Sequence, residues 1–135
     1  RRVRGIGRPQ KIDRQEVVGV AAAVREWLTM NHEERIARLD AKLTHIERAV
    51  SGIPGVSVEA DRDPTGASVF NLFLSIDESV AGISEDEVVA RLKDGDPPIW
   101  TRVNPYFGGM QVGMVGLNDG EEQVVAERLA AILKG

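Results

Sequence analysis

The residues of this chain whose types and spacing could do chemistry are basic. Arg102 stands in a short apolar-flanked run at 99–103, with Trp100 two places before it. On a strand, residues two apart leave the same face. A guanidinium there offers a planar fork for a carboxylate, so Arg102 is a candidate clamp on an acidic substrate. The competing role is a salt bridge to a helix acid. Arg8 and Lys11 form a second candidate. They sit in RRVRGIGRPQK, where Arg1, Arg2, Arg4, Arg8 and Lys11 all precede the first acid, Asp13. Gly5 and Gly7 let the backbone come close to a partner, and Arg8 can take a phosphate or carboxylate in bidentate fashion. The alternative is a solvated linker whose charges do nothing specific.

Other chemistries are missing from the sequence. There is no cysteine, which removes disulfides and thiolate nucleophiles. The two histidines, His32 and His45, are 13 apart on one predicted helical stretch. Helical metal pairs need a spacing of four, so both read as surface residues and no metal site is expected. No P-loop, strand-borne G-x-G-x-x-G or G-x-S-x-G run occurs. Glu33-Glu34, Glu85-Asp86-Glu87 and Glu121-Glu122 fall in first turns of predicted helices, where they complement the dipole. Trp27 and Trp100 read as packing anchors. Asn104, Tyr106 and Phe107 fall in a turn, which Asn104-Pro105 explains by turn chemistry. No catalytic constellation is present in the chain.

The elements that must position these residues follow from periodicity. Asp13 with Glu16 makes a capping box, and Val17, Val20, Val24 and Leu28 share a helix face. Ile36, Leu39, Leu43, Ile46 and Val50 continue the pattern, so residues 13–50 are one long helix kinked near Met30, or two end to end. Gly52 and Pro54 stop it. Residues 56–60 alternate with one wet face. After the turn cluster 61–66, residues 68–76 alternate again, with Phe70, Leu72, Leu74 and Ile76 together, and the two runs predict a hairpin. Ser84 and Glu87 open a helix to Lys93, and residues 94–98 break it. Strands are predicted at 99–103 and 110–115. Asn118 or Asp119 caps a last helix to Lys134, with Val125, Leu129 and Ile132 inward. The fold class is α+β: a long N-terminal helix and then ββαββα, an antiparallel sheet with helices on one face.

Composition sets the bounds. The chain has 135 residues, 42% of them hydrophobic, with a formal net charge of −4 and an isoelectric point near 5.2. Net acidity argues against nucleic-acid binding. No apolar run approaches the roughly 20 residues that span a bilayer, so no membrane partner is expected and the cytoplasm is the default location. The basic N-terminal residues are followed by no apolar h-region, so they do not read as a signal peptide. The first residue is not Met, and the chain is read as part of a larger protein.

One stretch, GIGRPQKIDRQEVVGVAAAVREWL, resembles a known family. It is similar to the segment joining the large and small domains in a group of fold-type-I pyridoxal-phosphate enzymes. That group includes selenocysteine synthase (L-seryl-tRNA selenium transferase) and D-glucosaminate-6-phosphate ammonia-lyase-like proteins. The carrying residues are Gly7-Arg8-Pro9-Gln10-Lys11-Ile12-Asp13 and then Glu16-Val17-Val18-Gly19-Val20. Gly52-Ile53-Pro54-Gly55-Val56 and Asp94-Gly95-Asp96-Pro97-Pro98-Ile99 also resemble later pieces, so the likeness runs along nearly the whole chain. It implies a C-terminal small domain, residues 13–135, joined by a basic Gly-rich linker, residues 1–12, to an absent large domain. It implies pyridoxal phosphate held mainly by that large domain, a homo-oligomer (a dimer in the simplest case), and a lyase or transferase acting on a small-molecule substrate.

The Schiff-base lysine would lie upstream of Arg1, because none of Lys11, Lys42, Lys93 or Lys134 stands in the expected motif. The chain alone is therefore expected to be inactive, while Arg102, Arg8 and Lys11 contribute substrate contacts. Related small domains often carry an arginine just before the final helix, whereas residues 110–116 here have none. That departure leaves seryl-tRNA unsupported over a small amino acid or amino sugar acid. Two other classes stay open on the residues alone. One is an RNA-contacting accessory module using the basic arm, although the strands lack the aromatic pair of RNA-binding sheets. The other is a small effector-binding or dimerisation ββα module.

Overall fold

The structure is a computed structural model that describes residues 13–63, 70–104 and 108–135. The expected basic linker at 1–12, with Arg8 and Lys11, lies outside the described residues. So do residues 64–69 of the turn and early strand, and Pro105, Tyr106 and Phe107 of the second turn. The chain divides into two units, Arg1–His32 and Glu33–Gly135.

The first unit holds helix α1, Arg14–Thr29. The expected capping box is present: the Asp13 carboxylate accepts from the N–H groups of Gln15 and Glu16, each at 2.9 Å. Glu16 in turn accepts from the Asp13 N–H at 3.1 Å. The helix ends where Thr29 Oγ1 turns back to the carbonyls of Arg25 and Glu26 and Met30 becomes extended. The 13–50 run is thus two helices. No residue of α1 is buried. Trp27 is not the packing anchor expected. It is 54% exposed, with the His32 ring tilted against it at 4.5 Å.

The second unit is built on helix α2, His32–Val50, which buries Leu39, Leu43, Ile46 and Val50 at the predicted spacing. Strand β1, Val56–Asp61, pairs antiparallel with β2, Asn71–Ile76, from Val56 opposite Ile76 to Asp61 opposite Asn71. A short helix α3, Glu78–Ala81, follows, capped by Asp77. Four residues give no periodicity, so the sequence did not announce it. Helix α4, Glu85–Lys93, starts at Ser84 as expected. Strand β3 is only Arg102–Val103, β4 is Met110–Gly113, and α5 is Glu121–Lys134. The sheet order is β1-β2-β4-β3, with every pairing antiparallel.

Several ends differ from expectation for visible reasons. The strand predicted at 99–103 loses its first half because the Ile99 N–H donates to Leu92 O, at the end of α4, instead of to a strand. The strand predicted at 68–76 begins at Asn71, because Phe70 adopts φ 49°, a left-handed turn conformation with its side chain buried. The strand predicted at 110–115 stops at Gly113, where Met114 N–H donates to Phe70 O. Neither Asn118 nor Asp119 caps α5; its N-cap is Gly120. Asn118 instead donates its N–H and its amide to the Glu121 carboxylate. The helix buries Val125, Ala126, Leu129 and Leu133, with Ile132 only partly covered.

One core joins these elements. Leu43 and Ile46 of α2, Leu72 and Leu74 of β2, Met110 and Val112 of β4, Leu92 of α4 and Leu129 of α5 all belong to it. The helices α2, α4 and α5 therefore cover one face of the sheet, as expected. Close approach of β4 to β2 needs a glycine: at Gly109, φ 88°, a Cβ would lie 2.5 Å from Leu74 O.

Candidate functional site

With one sheet face committed to the core, the alternate residues stand on the other. They are Ser57 and Glu59 on β1, Phe73 and Ser75 on β2, Gln111 on β4 and Arg102 on β3. The registers place Glu59 opposite Phe73, Phe73 opposite Gln111, and Gln111 opposite Arg102. One straight row thus crosses all four strands: carboxylate, aromatic ring, amide, guanidinium. Strands lie about 4.8 Å apart, so the ends of the row are about 14 Å apart at Cα.

Two hollows flank the centre of this row. One, of about 320 Å³, is lined by Ser57, Val58, Glu59, Phe73, Ser75 and Gly108. The other, of about 330 Å³, is lined by Asn71, Trp100, Thr101, Arg102, Gln111 and Gly113. The second is the better ordered. Asn104, itself buried, donates its amide to Gln111 Oε1 at 3.1 Å, and Thr101 Oγ1 donates to the Gln111 carbonyl. Spending Gln111 Oε1 on Asn104 leaves the Gln111 NH2 as the group with donors to give. Asn104 also closes the β3–β4 turn, its N–H donating to Gly109 O at 2.8 Å. The turn role expected of Asn104 is therefore observed.

Arg102 is where the sequence placed it, on a strand and exposed. Among the described residues it has neither a hydrogen bond nor an ion pair, so the competing salt-bridge role is not realised there. Trp100 lines the same hollow but is 75% exposed, with Lys93 Nζ 4.9 Å from its ring centroid. It is not a packing anchor, because the segment that carries it is held through the backbone of Ile99. Arg8 and Lys11, the other two residues expected to contact substrate, lie outside the described residues. Glu59, Gln111 and Ser75 were not singled out in the sequence. The signal was the wet face of 56–60, but only the register shows which polar residues line up.

The lysines have other work or stand in the open. Lys42 is nearly covered; it donates to Leu117 O at 2.7 Å and pairs with Asp119 at 2.9 Å. That contact holds the Asp119 carboxyl below its ordinary range, first through the hydrogen bond and then through charge. Lys93 lies over Trp100, and Lys134 is exposed at the end of α5. Arg62, just after β1, bridges Asp40 and Glu47 of α2, and the Glu47 hydrogen bond raises its pKa. Among the described residues no cluster of three or more His, Cys, Asp or Glu could hold a metal. No described helix is long and apolar enough to cross a membrane.

No protein-family model matches the chain. It is 31% identical over 131 residues to 5′-C-glycyluridine monooxygenase-decarboxylase of a Streptomyces species, covering 96% of this chain and 33% of that protein. It is 24% identical over 129 residues to D-glucosaminate-6-phosphate ammonia lyase of Salmonella typhimurium, covering 95% of this chain and 34% of that protein. A solved structure of D-glucosaminate-6-phosphate ammonia-lyase superposes with a TM-score of 0.63 at 23% identity, over 96% of this chain and 34% of that one. At that identity the superposition shows a shared fold. The chain spans about a third of the length of the curated relatives it matches. The resemblance read in the sequence is borne out: nearly the whole chain is similar to a third-length portion of enzymes of the D-glucosaminate-6-phosphate ammonia-lyase group.

Proposed function

We propose that this chain is the C-terminal small domain of a pyridoxal-phosphate-dependent lyase or transferase acting on a small amino acid or amino sugar acid. In this reading Arg102 holds the substrate carboxylate. The observation that carries it is an exposed strand-borne guanidinium with no ion pair among the described residues, beside the oriented Gln111 amide in a hollow of the polar sheet face. The relatives support the enzyme class, and their greater length supports a large domain elsewhere in the polypeptide.

The described residues do not fit covalent attachment of pyridoxal phosphate. A Schiff-base lysine needs a desolvated pocket that lowers its pKa. Lys42 is tied to Leu117 and Asp119, and Lys93 and Lys134 are exposed. The cofactor is therefore assigned to the large domain. This chain's part is to grip the carboxylate and close over the site, which fixes the substrate's orientation. Arg8 and Lys11 would add an anion contact from the linker where the substrate carries a phosphate. The protein works as a homo-oligomer in the cytoplasm.

The test is steady-state kinetics on the longer protein. Arg102→Lys keeps the charge but loses the fork. Losing a hydrogen bond between charged groups is worth about 1.5–3 kcal/mol, so KM should rise roughly 10- to 100-fold. Bound cofactor, read by absorbance, should not change. Unchanged KM and kcat would make Arg102 structural and end this reading.

A further inference from the structure

Gln111 and Arg102 stand directly opposite one another on β4 and β3, which sets their Cβ atoms about 4.5–5.5 Å apart on one face of the sheet. The Gln111 side-chain carbonyl is therefore an acceptor within reach of the guanidinium, yet it is spent elsewhere. Its Oε1 accepts from the Asn104 amide at 3.1 Å. Burial decides that competition. Asn104 is 7% exposed, and a buried amide N–H left unpaired forfeits more than an exposed guanidinium, which water can satisfy. Asn104 is itself pinned at both backbone groups: its N–H donates to Gly109 O at 2.8 Å, and its carbonyl accepts from the Gly108 N–H at 3.1 Å. Thr101 Oγ1 donates to the Gln111 carbonyl and holds the backbone of Gln111. The Gln111 amide is thus set from a buried anchor. Its NH2 makes no hydrogen bond among the described residues, and neither does the Arg102 guanidinium. Both line the same hollow, and to it these two side chains present donors and no acceptor.

We infer that Asn104 is a positioning residue that makes this hollow specific for a carboxylate over the corresponding carboxamide. It acts through Gln111 in two ways. It turns the Gln111 NH2 toward the ligand, and it withdraws from Arg102 a carbonyl that would otherwise occupy the guanidinium. A carboxylate accepts on both oxygens, with about four lone-pair sites between them, so it can take the guanidinium fork and the amide N–H together. A carboxamide brings one oxygen and one NH2. Its NH2 meets donors from Arg102 and Gln111 and finds no acceptor on either. Were Gln111 free to rotate, its Oε1 could accept from that NH2, and the discrimination would fall, because specificity is a difference between two affinities. The inference rests on the carboxylate role of Arg102. It adds the feature that decides which hydrogen-bonding pattern the group beside the guanidinium must have.

The test is calorimetric titration of the longer enzyme, with its cofactor, against D-gluconate and D-gluconamide. Neither probe carries an amine, so the titration reads binding alone. The unaltered enzyme should bind the acid roughly tenfold or more tightly than the amide. Gln111→Met keeps the length and removes the donor. It should weaken gluconate roughly tenfold, the lower end for a hydrogen bond to a charged group, and change gluconamide little. Asn104→Ala releases Gln111, so it should weaken gluconate several-fold and narrow the ratio of the two dissociation constants. In the Gln111→Met background the same change should do nothing further, because the two residues act as one unit. A merely structural Asn104 would weaken both ligands alike in both backgrounds, and that result overturns the inference. Arg102→Lys separates the two readings. If it weakens gluconate while the Asn104→Ala effect does not depend on Gln111, the positioning role falls and the carboxylate role survives. If it leaves gluconate unchanged, both fall. Gluconate that binds the unaltered enzyme no more tightly than the amide, or not at all, overturns the inference as well. Circular dichroism checks that each variant folds. If Asn104→Ala does not, Gln111→Met decides: an equal loss for the two ligands, or no loss, overturns the inference.

Discussion

Single residues fasten the second unit at points away from the polar face. Lys42 is the clearest case. Its side chain is only 11% exposed, and it ties α2 to the backbone at Leu117 and to Asp119 ahead of α5. The Lys42 contact lowers the Asp119 pKa, and the Asn118 hydrogen bonds lower that of Glu121. A carboxyl whose folded pKa lies below its unfolded value stabilises the fold at neutral pH, and that contribution disappears as pH falls through the folded value. The unfolded reference for Asp is near 3.9, so the loss should begin below about pH 4–5 and continue downward. Thermal unfolding followed from pH 7 to pH 2 should show this slope, and Asp119→Asn should flatten part of it. A slope identical in both proteins would mean that the Lys42–Asp119 contact is absent in solution. None of this was visible in the sequence, where Lys42 was a mid-helix charge and Asp119 a candidate cap, because the partners are 77 residues apart.

At the scale of elements, α1 and α2 contrast. Both show the 3–4 apolar spacing, yet α2 buries four residues and α1 none. Val17, Val20, Val24, Trp27 and Leu28 are each at least half exposed. Contiguous apolar exposure of this kind drives association. Sedimentation of the 135-residue chain should therefore depend on concentration, and Val20→Glu with Val24→Lys should abolish the dependence. A strict monomer at all concentrations would count against the stripe as a contact surface. Periodicity says which face of a helix is apolar and not what will cover it. That is why α1 was legible as a helix while its exposure was not. The same limit explains the strands. The alternation at 56–60 and 68–76 was clear, so β1 and β2 were found and the antiparallel pairing with them. The shortness of β3 and the α3 turn were blurred because the Ile99 N–H ahead of β3 goes to Leu92 O and the Val80 and Ala81 N–H groups of α3 go to Asp77 O, contacts that no local pattern encodes. Arg102 was found because it stands beside Trp100 on a recognisable run. The alignment of Glu59 with Arg102 was missed because it depends on a register spanning four strands.

At the scale of the whole molecule, the chain has an organised core and a polar face with charged ends. Its described lysines are committed elsewhere or exposed. Under the proposed function such a domain would bind one end of a substrate, while none of its described lysines offers a free amine in a desolvated pocket with which to attach pyridoxal phosphate. The division of labour proposed above then makes a definite statement about the chain alone. Mixed with pyridoxal phosphate and reduced with borohydride, the 135-residue chain should give only scattered, sub-stoichiometric labelling of exposed lysines. The longer protein treated in the same way should give one stoichiometrically labelled lysine outside this chain. Peptide mapping by mass spectrometry reads both results. Lys42 is the instructive control, since its amine is the most covered of the three described lysines and is already used by Leu117 and Asp119. Labelling there would require the contact between α2 and the α5 loop to open, and should appear only under conditions that unfold the domain. A single fully labelled lysine in the folded 135-residue chain would show that the cofactor site lies here, and the assignment of the cofactor to a separate large domain would fall.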